Sequence, residues 1–149
     1  MDEQRPDGGA VAPSAGSVPA RVSMVVVHAR DLPALRAFYL GLGWTEQAGG
    51  SDSLAIFPLG GLSLALYPHG VGDAEPHDTP DPVGSAVTLV VRVGTREAVD
   101  AAYTTALRAG AGAVSDPQDQ SFGGRSAVMA DPEGNRWELL WVPGATGTG

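Results

Sequence analysis

The stretch Asp131-Pro132-Glu133-Gly134-Asn135-Arg136-Trp137-Glu138-Leu139-Leu140 reads as a tight turn that opens into a strand. Asp, Pro and Gly at its first, second and fourth positions suit a type I turn, because Pro presets φ and Asp caps the local backbone. The strand then alternates. Glu138 shares a face with Arg136 and Leu140, while Trp137, Leu139 and Trp141 share the other. A carboxylate in the middle of an apolar strand must be solvated, paired or bound to a metal, since an unpaired buried charge is expensive.

Upstream, this turn and strand close the second of two similar blocks, about 21–68 and 85–142. Met24 to His28 reads as a strand, followed by Asp31 and a helix with Leu35, Phe38, Tyr39 and Leu42 on one face. Thr88 to Arg92 repeats it, followed by Thr95 and a helix with Val99, Ala102, Tyr103 and Ala106 on one face. The offset is 64 residues, so Tyr39 falls on Tyr103 and Leu35 on Val99. Asp31 and Thr95 are N-caps by residue type, and Gly43 and Gly110 are C-terminal stops. Short strands follow each helix: Trp44–Glu46, Leu54–Phe57 and Leu62–Tyr67 in the first block, and Val114–Ser115, Arg125–Met129 and Arg136–Val142 in the second. Each block is therefore β-α-β-β-β. The fold class is α+β: two paired modules forming a curved mixed sheet around a central cavity, with helices outside.

The 149 residues suit a single domain over 21–142, and a hydrophobic fraction of 43% supports a core. Residues 1–20 and 143–149 read as disordered tails, and the Pro-rich stretch 69–84 as a linker. No apolar run reaches membrane-spanning length and no secretory leader is evident, so a cytoplasmic location with no membrane partner is expected. Without cysteine, disulfides and thiolate chemistry are excluded. The net charge of −8 argues against a nucleic-acid partner; the N-terminal tail and the linker carry −2 and −4 of it. No phosphate-binding loop or nucleophile elbow is present.

The chain resembles the vicinal oxygen chelate superfamily, which includes glyoxalase I, extradiol dioxygenases, and the bleomycin and fosfomycin resistance proteins. The resemblance covers about 21–142. It rests on Val27-x-x-Arg30-Asp31-Leu32, Phe38-Tyr39, Leu42-Gly43-Trp44, and Asp131-Pro-Glu-Gly-Asn-x-x-Glu138-Leu139. It implies a divalent metal held by four side chains, two from each block. Those positions fall here on Met24, on Thr88, near Leu64 (with Ser63 and Ala65 as register alternatives), and on Glu138. Only Glu138 is of a ligand type, so no metal and no cofactor are expected.

Met24, Val26 and His28 share one strand face and Thr88, Val90 and Arg92 the equivalent face of the repeat. With Leu64, Arg136 and Glu138, these are the expected ligand-binding residues of a largely apolar pocket. Glu138 is also the candidate catalytic group, as a general base or a counter-charge to a cation, against a plainer reading as a carboxylate tied to backbone or Arg. His28 takes the place of a substrate-gripping Arg in glyoxalase I, or is simply a strand-end His. Arg92 suits a carboxylate clamp or a surface ion pair. Arg125 and Phe122 could line the mouth. Asp31 is read as a cap, and Tyr39, Tyr103, Trp44, Trp137 and Trp141 as packing. His69 and His77, with Asp73 and Asp78, lack the scaffold a metal site needs.

The expected function is metal-independent binding of a small organic molecule, on the pattern of bleomycin-resistance proteins that sequester antibiotics. The alternative is a cofactorless or glyoxalase-like lyase or isomerase using Glu138 or His28 as acid–base group. A homodimer is expected, the modules pairing within one chain or swapping between chains.

Overall fold

The computed structural model describes residues 16–69 and 87–144; the linker and both tails expected from the sequence lie largely outside them, as do His77, Asp73 and Asp78. Strands β1 (Met24–Ala29), β2 (Ala55–Pro58) and β3 (Ser63–Pro68) form one sheet in the order β1-β3-β2. Strands β4 (Thr88–Arg92), β5 (Gly112–Asp119), β6 (Arg125–Ala130) and β7 (Arg136–Trp141) form a second in the order β4-β7-β6-β5. In each sheet the first strand runs parallel to the last and the remaining pairs are antiparallel. The sheets are open, and the fold is the mixed α+β architecture read from the repeat.

The helices α1 (Leu32–Gly41) and α2 (Arg96–Ala109) start and stop where side-chain chemistry dictates. Asp31 Oδ1 accepts from Ala34 N at 3.0 Å and Thr95 Oγ1 from Ala98 N at 3.1 Å, the same cap in both repeats. Gly43 and Gly110 follow with φ of 94° and 114°, left-handed values that side chains disfavour. Leu35, Phe38 and Tyr39 bury against Phe57, Leu64 and Leu66, while Val99, Tyr103 and Ala106 bury against Ala127, Met129 and Leu139. The two helices touch, and one continuous core runs through both repeats.

Two strands differ from the sequence expectation. Residues 44–46 form no strand, so the first module is β-α-β-β; a single bond from Gln47 N to Ile56 O (2.7 Å) keeps the segment beside β2. Arg36 ties this segment to the turn that follows: its guanidinium pairs with Glu46 at 3.2 Å and donates to the carbonyls of Ser51 and Leu54, which also bridge each other through their backbones. In the second module β5 is longer than expected, eight residues with register shifts between Ala113 and Ser115 and between Ser115 and Gln118. Bulges let the strand bend past Pro117 without losing its ladder.

Candidate functional site

Strand parity sorts the candidates onto two faces. Pairing of Val25 with Leu64, Val27 with Leu66 and Leu89 with Trp137 places these residues on the helix-covered faces. Met24 and Val26 lie opposite Ser63 and Ala65, Thr88 opposite Arg136, and Val90 opposite Glu138, all on the other faces. Those other faces are partly open in the single chain: Met24, Val26 and Val90 are 43%, 44% and 50% exposed, while Ala65 is buried.

A cavity of about 700 Å³ lies between the modules on the helix side. Its apolar wall includes Val25, Leu64, Leu89, Val91 and two indoles, Trp44 and Trp137. Of the eight sequence-expected binding residues it contains Leu64 and Arg92. Met24, Val26, His28, Thr88, Arg136 and Glu138 do not line it, because the helices and the core occupy the face opposite theirs. Leu64 was expected beside Met24; the register puts Ser63 there and turns Leu64 to the cavity.

The indoles are anchored by a buried polar group. Trp44 stacks on Tyr39 with centroids 5.4 Å apart, and Trp44 meets Trp137 edge-on at the same separation. Trp137 Nε1 donates to the Tyr39 hydroxyl at 3.1 Å, and that hydroxyl donates to Asp131 Oδ2 at 2.5 Å. Burial, with the Asp131 carboxylate beside it, pushes the Tyr39 phenol far above its ordinary pKa. Asp131 is 3% exposed and is itself held by Glu133 N, Asn135 N and Asn135 Nδ2. The turn is as expected, closed by Gly134 N to Asp131 O at 2.9 Å. Next to it, Glu133 Oε2 accepts from the backbone N–H groups of Arg30 and Asp31 at 3.0 and 2.9 Å, so the turn of the second module clasps the start of α1. The sequence reading assigned Tyr39 and Trp137 to the core and missed this chain of bonds. A Tyr on the apolar face of a helix, whose hydroxyl requires a partner, was the available signal.

The remaining candidates separate cleanly. Arg125 pairs with Asp100 through two bonds of 2.9 and 2.7 Å and with Asp119 at 3.1 Å, and Arg96 joins Asp119. These bonds tie β6 to α2 and β5; hydrogen bonds from Arg125 hold the Asp100 carboxyl, and from Arg96 and Arg125 the Asp119 carboxyl, below the usual carboxylate range. Arg125 is structural, and Phe122 stands 60% exposed beside it. Glu138 is half-buried between Val90 and Val128 and has no hydrogen bond or ion pair among the described residues. His28 lies 6.4 Å from the Tyr67 ring.

A family-level profile, the glyoxalase-like domain, matches residues 24–140. The chain belongs to this family, within the vicinal oxygen chelate superfamily. Solved structures similar to it include a glyoxalase-related enzyme from Fulvimarina pelagi (23% identity, 87% of this chain and 96% of that one, TM-score 0.72). A glyoxalase/bleomycin resistance protein/dioxygenase family enzyme from Burkholderia phytofirmans PsJN matches at 25% identity over 83% and 99% of the chains, TM-score 0.69. A lactoylglutathione lyase from Agrobacterium tumefaciens matches at 22% over 84% and 96%, TM-score 0.62. At these identities the likeness establishes the fold. No curated protein matches the sequence.

The glyoxalase-like fold raises the question of a metal, and the donors answer it. At the ligand positions stand a thioether (Met24), a hydroxyl (Thr88), Ser63 or Ala65, and one carboxylate (Glu138). A hard divalent ion is held by imidazoles and carboxylates, so this set does not fit it. Among the described residues no cluster of three or more His, Asp or Glu side chains could hold an ion.

Proposed function

We propose that this glyoxalase-like protein binds a small organic molecule in the inter-module cavity without a metal, in the manner of drug-sequestering members of the superfamily. One observation carries the reading: a cavity of about 700 Å³ with an apolar wall, two fixed indoles and few polar groups. Ligand sites are typically ~300–1,000 Å³ and apolar with a small number of polar contacts. Sequestration needs only shape and a counter-charge, and no reaction at the metal positions.

A second reading rests on Glu138. Its carboxylate is half-buried between Val90 and Val128 with no partner among the described residues, which favours an acid–base role in a cofactorless lyase or isomerase if that face is covered. The exposed Met24, Val26 and Val90 on the same side support a homodimer that covers it.

Native mass spectrometry of protein purified without chelator or a metal-binding tag tests both readings. A co-purified organic adduct, lost in Val91→Trp where an indole fills the cavity, is the expected result. A stoichiometric divalent ion would overturn the metal-independent reading. Turnover of an adduct abolished by Glu138→Gln would favour the enzyme.

A further inference from the structure

Resting on the cavity reading above, we infer that the bound molecule is an apolar body carrying a single carboxylate, and that Arg92 clamps it. Four consecutive residues of β4, Leu89 to Arg92, line the cavity. Side chains alternate between faces along a strand, so a run of four means that the cavity borders the strand's edge as well as one face. β4 is the terminal strand of its sheet. Val93 N donates to Leu140 O at 2.9 Å. That bond directs the backbone groups of odd-numbered β4 residues to β7, and those of Val90 and Arg92 to the other edge. Among the described residues no strand pairs with that edge, so the N–H and C=O groups of Val90 and Arg92 face outward unpaired by any sheet.

The charges on the wall point the same way. Among the described residues, Glu46 and Arg92 are its only ionised side chains. Glu46 is answered by Arg36 at 3.2 Å, each side chain being 21% exposed. Arg92 has no hydrogen bond or ion pair among the described residues. Arg92 is therefore the one uncompensated charged residue on the wall, beside a strand edge that offers both N–H donors and C=O acceptors. A guanidinium offers two parallel N–H donors in a plane, the geometry of a carboxylate. Leu64, Leu89, Val91 and Trp137 provide the surface for an aromatic or aliphatic body. The chain's net charge of −8 opposes an anion at long range, but that field is screened within about 10 Å at moderate salt, leaving the local guanidinium to decide.

Isothermal titration of the full chain with 2-naphthoate, neutral 2-naphthamide and cationic 2-naphthylmethylammonium tests this. The naphthoate is expected to bind about tenfold or more tightly than the amide, the usual scale of a charge-assisted bond. Arg92→Met should bring the ratio near one. Arg92→Lys, which keeps the charge but loses the planar fork, should retain part of it. Equal affinity for acid and amide, preference for the ammonium compound, or a ratio that survives Arg92→Met would each overturn the anion assignment while leaving the cavity as the binding site. No binding of any of the three, or binding undiminished by Val91→Trp, would overturn the cavity reading and this inference with it.

Discussion

The hydroxyl of Tyr39 is expected to be worth far more to stability than that of Tyr103, its counterpart in the repeat. Tyr39→Phe removes a buried bond to the Asp131 carboxylate and deprives the Trp137 N–H of its acceptor. Losing a hydrogen bond to a charged group costs about 1.5–3 kcal/mol, and a stranded buried donor adds ~1 kcal/mol or more. Three other donors still hold Asp131, which limits the total to about 2–4 kcal/mol. Tyr103→Phe breaks a 3.0 Å bond to Asp116, an exposed residue that water can re-solvate, so ~0.5–1 kcal/mol is expected. In a chain of this size, each kcal/mol moves Tm by roughly 2–4 °C, so the two variants should separate by several degrees. Urea unfolding followed by far-UV circular dichroism gives the two free energies directly. Equal costs, or a larger cost for Tyr103→Phe, would refute the view that a buried carboxylate–phenol bond joins the modules.

Alkaline titration should expose the same bond. Tyr39 has a raised pKa in the folded state, so its contribution is complete below the unfolded value of about 10 and declines as pH rises above it. The stability gap between wild type and Tyr39→Phe should shrink by up to ~1.4 kcal/mol per pH unit beyond that point; a gap constant to pH 11 would contradict it. Asp100 and Asp119 show the opposite sign. Their pKa values are depressed by hydrogen bonds from Arg125 and Arg96, so their contribution exists above the unfolded value of about 4 and is lost as pH falls. The destabilisation caused by Arg125→Gln should therefore fade as pH falls below the unfolded value of about 4, and a pH-independent effect would count against the ion-pair account. Glu133→Ala should cost about 1 kcal/mol and expose the Arg30 and Asp31 amides to hydrogen exchange, whereas Glu133→Gln, which keeps an acceptor, should protect them in part. Unchanged exchange in the Ala variant would show that the clasp on α1 is not what protects them.

What was legible in the sequence is what is locally encoded. Asp31, Thr95 and the Asp131 turn satisfy backbone groups within four residues of themselves, so residue type and spacing sufficed to place both helices and the last strand. The segment 44–46 is held by Arg36, which pairs with Glu46 and reaches carbonyls 15 and 18 positions away. The bond of Tyr39 to Asp131 spans 92 positions. Neither is a matter of propensity or periodicity, and neither was read.

Most of the expected binding residues lie on the face away from the cavity for a related reason. Alternation establishes which residues of a strand share a face, and every pairing of that kind held: Met24 with Val26, Thr88 with Val90, Glu138 with Arg136. Alternation alone does not establish which face is covered. The polar residues lie on the Glu138 side, yet the apolar side carries Trp137, and next to it the helices leave room where α1 ends at Gly41 and Trp44 meets Trp137 edge-on. A cavity forms where the covering layer stops short of the sheet, so it inherits the core's apolar lining and takes polar groups only from strand edges and helix ends. That geometry explains why Arg92, at the end of an edge strand, borders it while Glu138, mid-strand in the sheet interior, does not. It also gives Glu138 a condition for function. Desolvation, the usual route to a catalytic carboxylate, is completed only when something covers Met24, Val26 and Val90 as well.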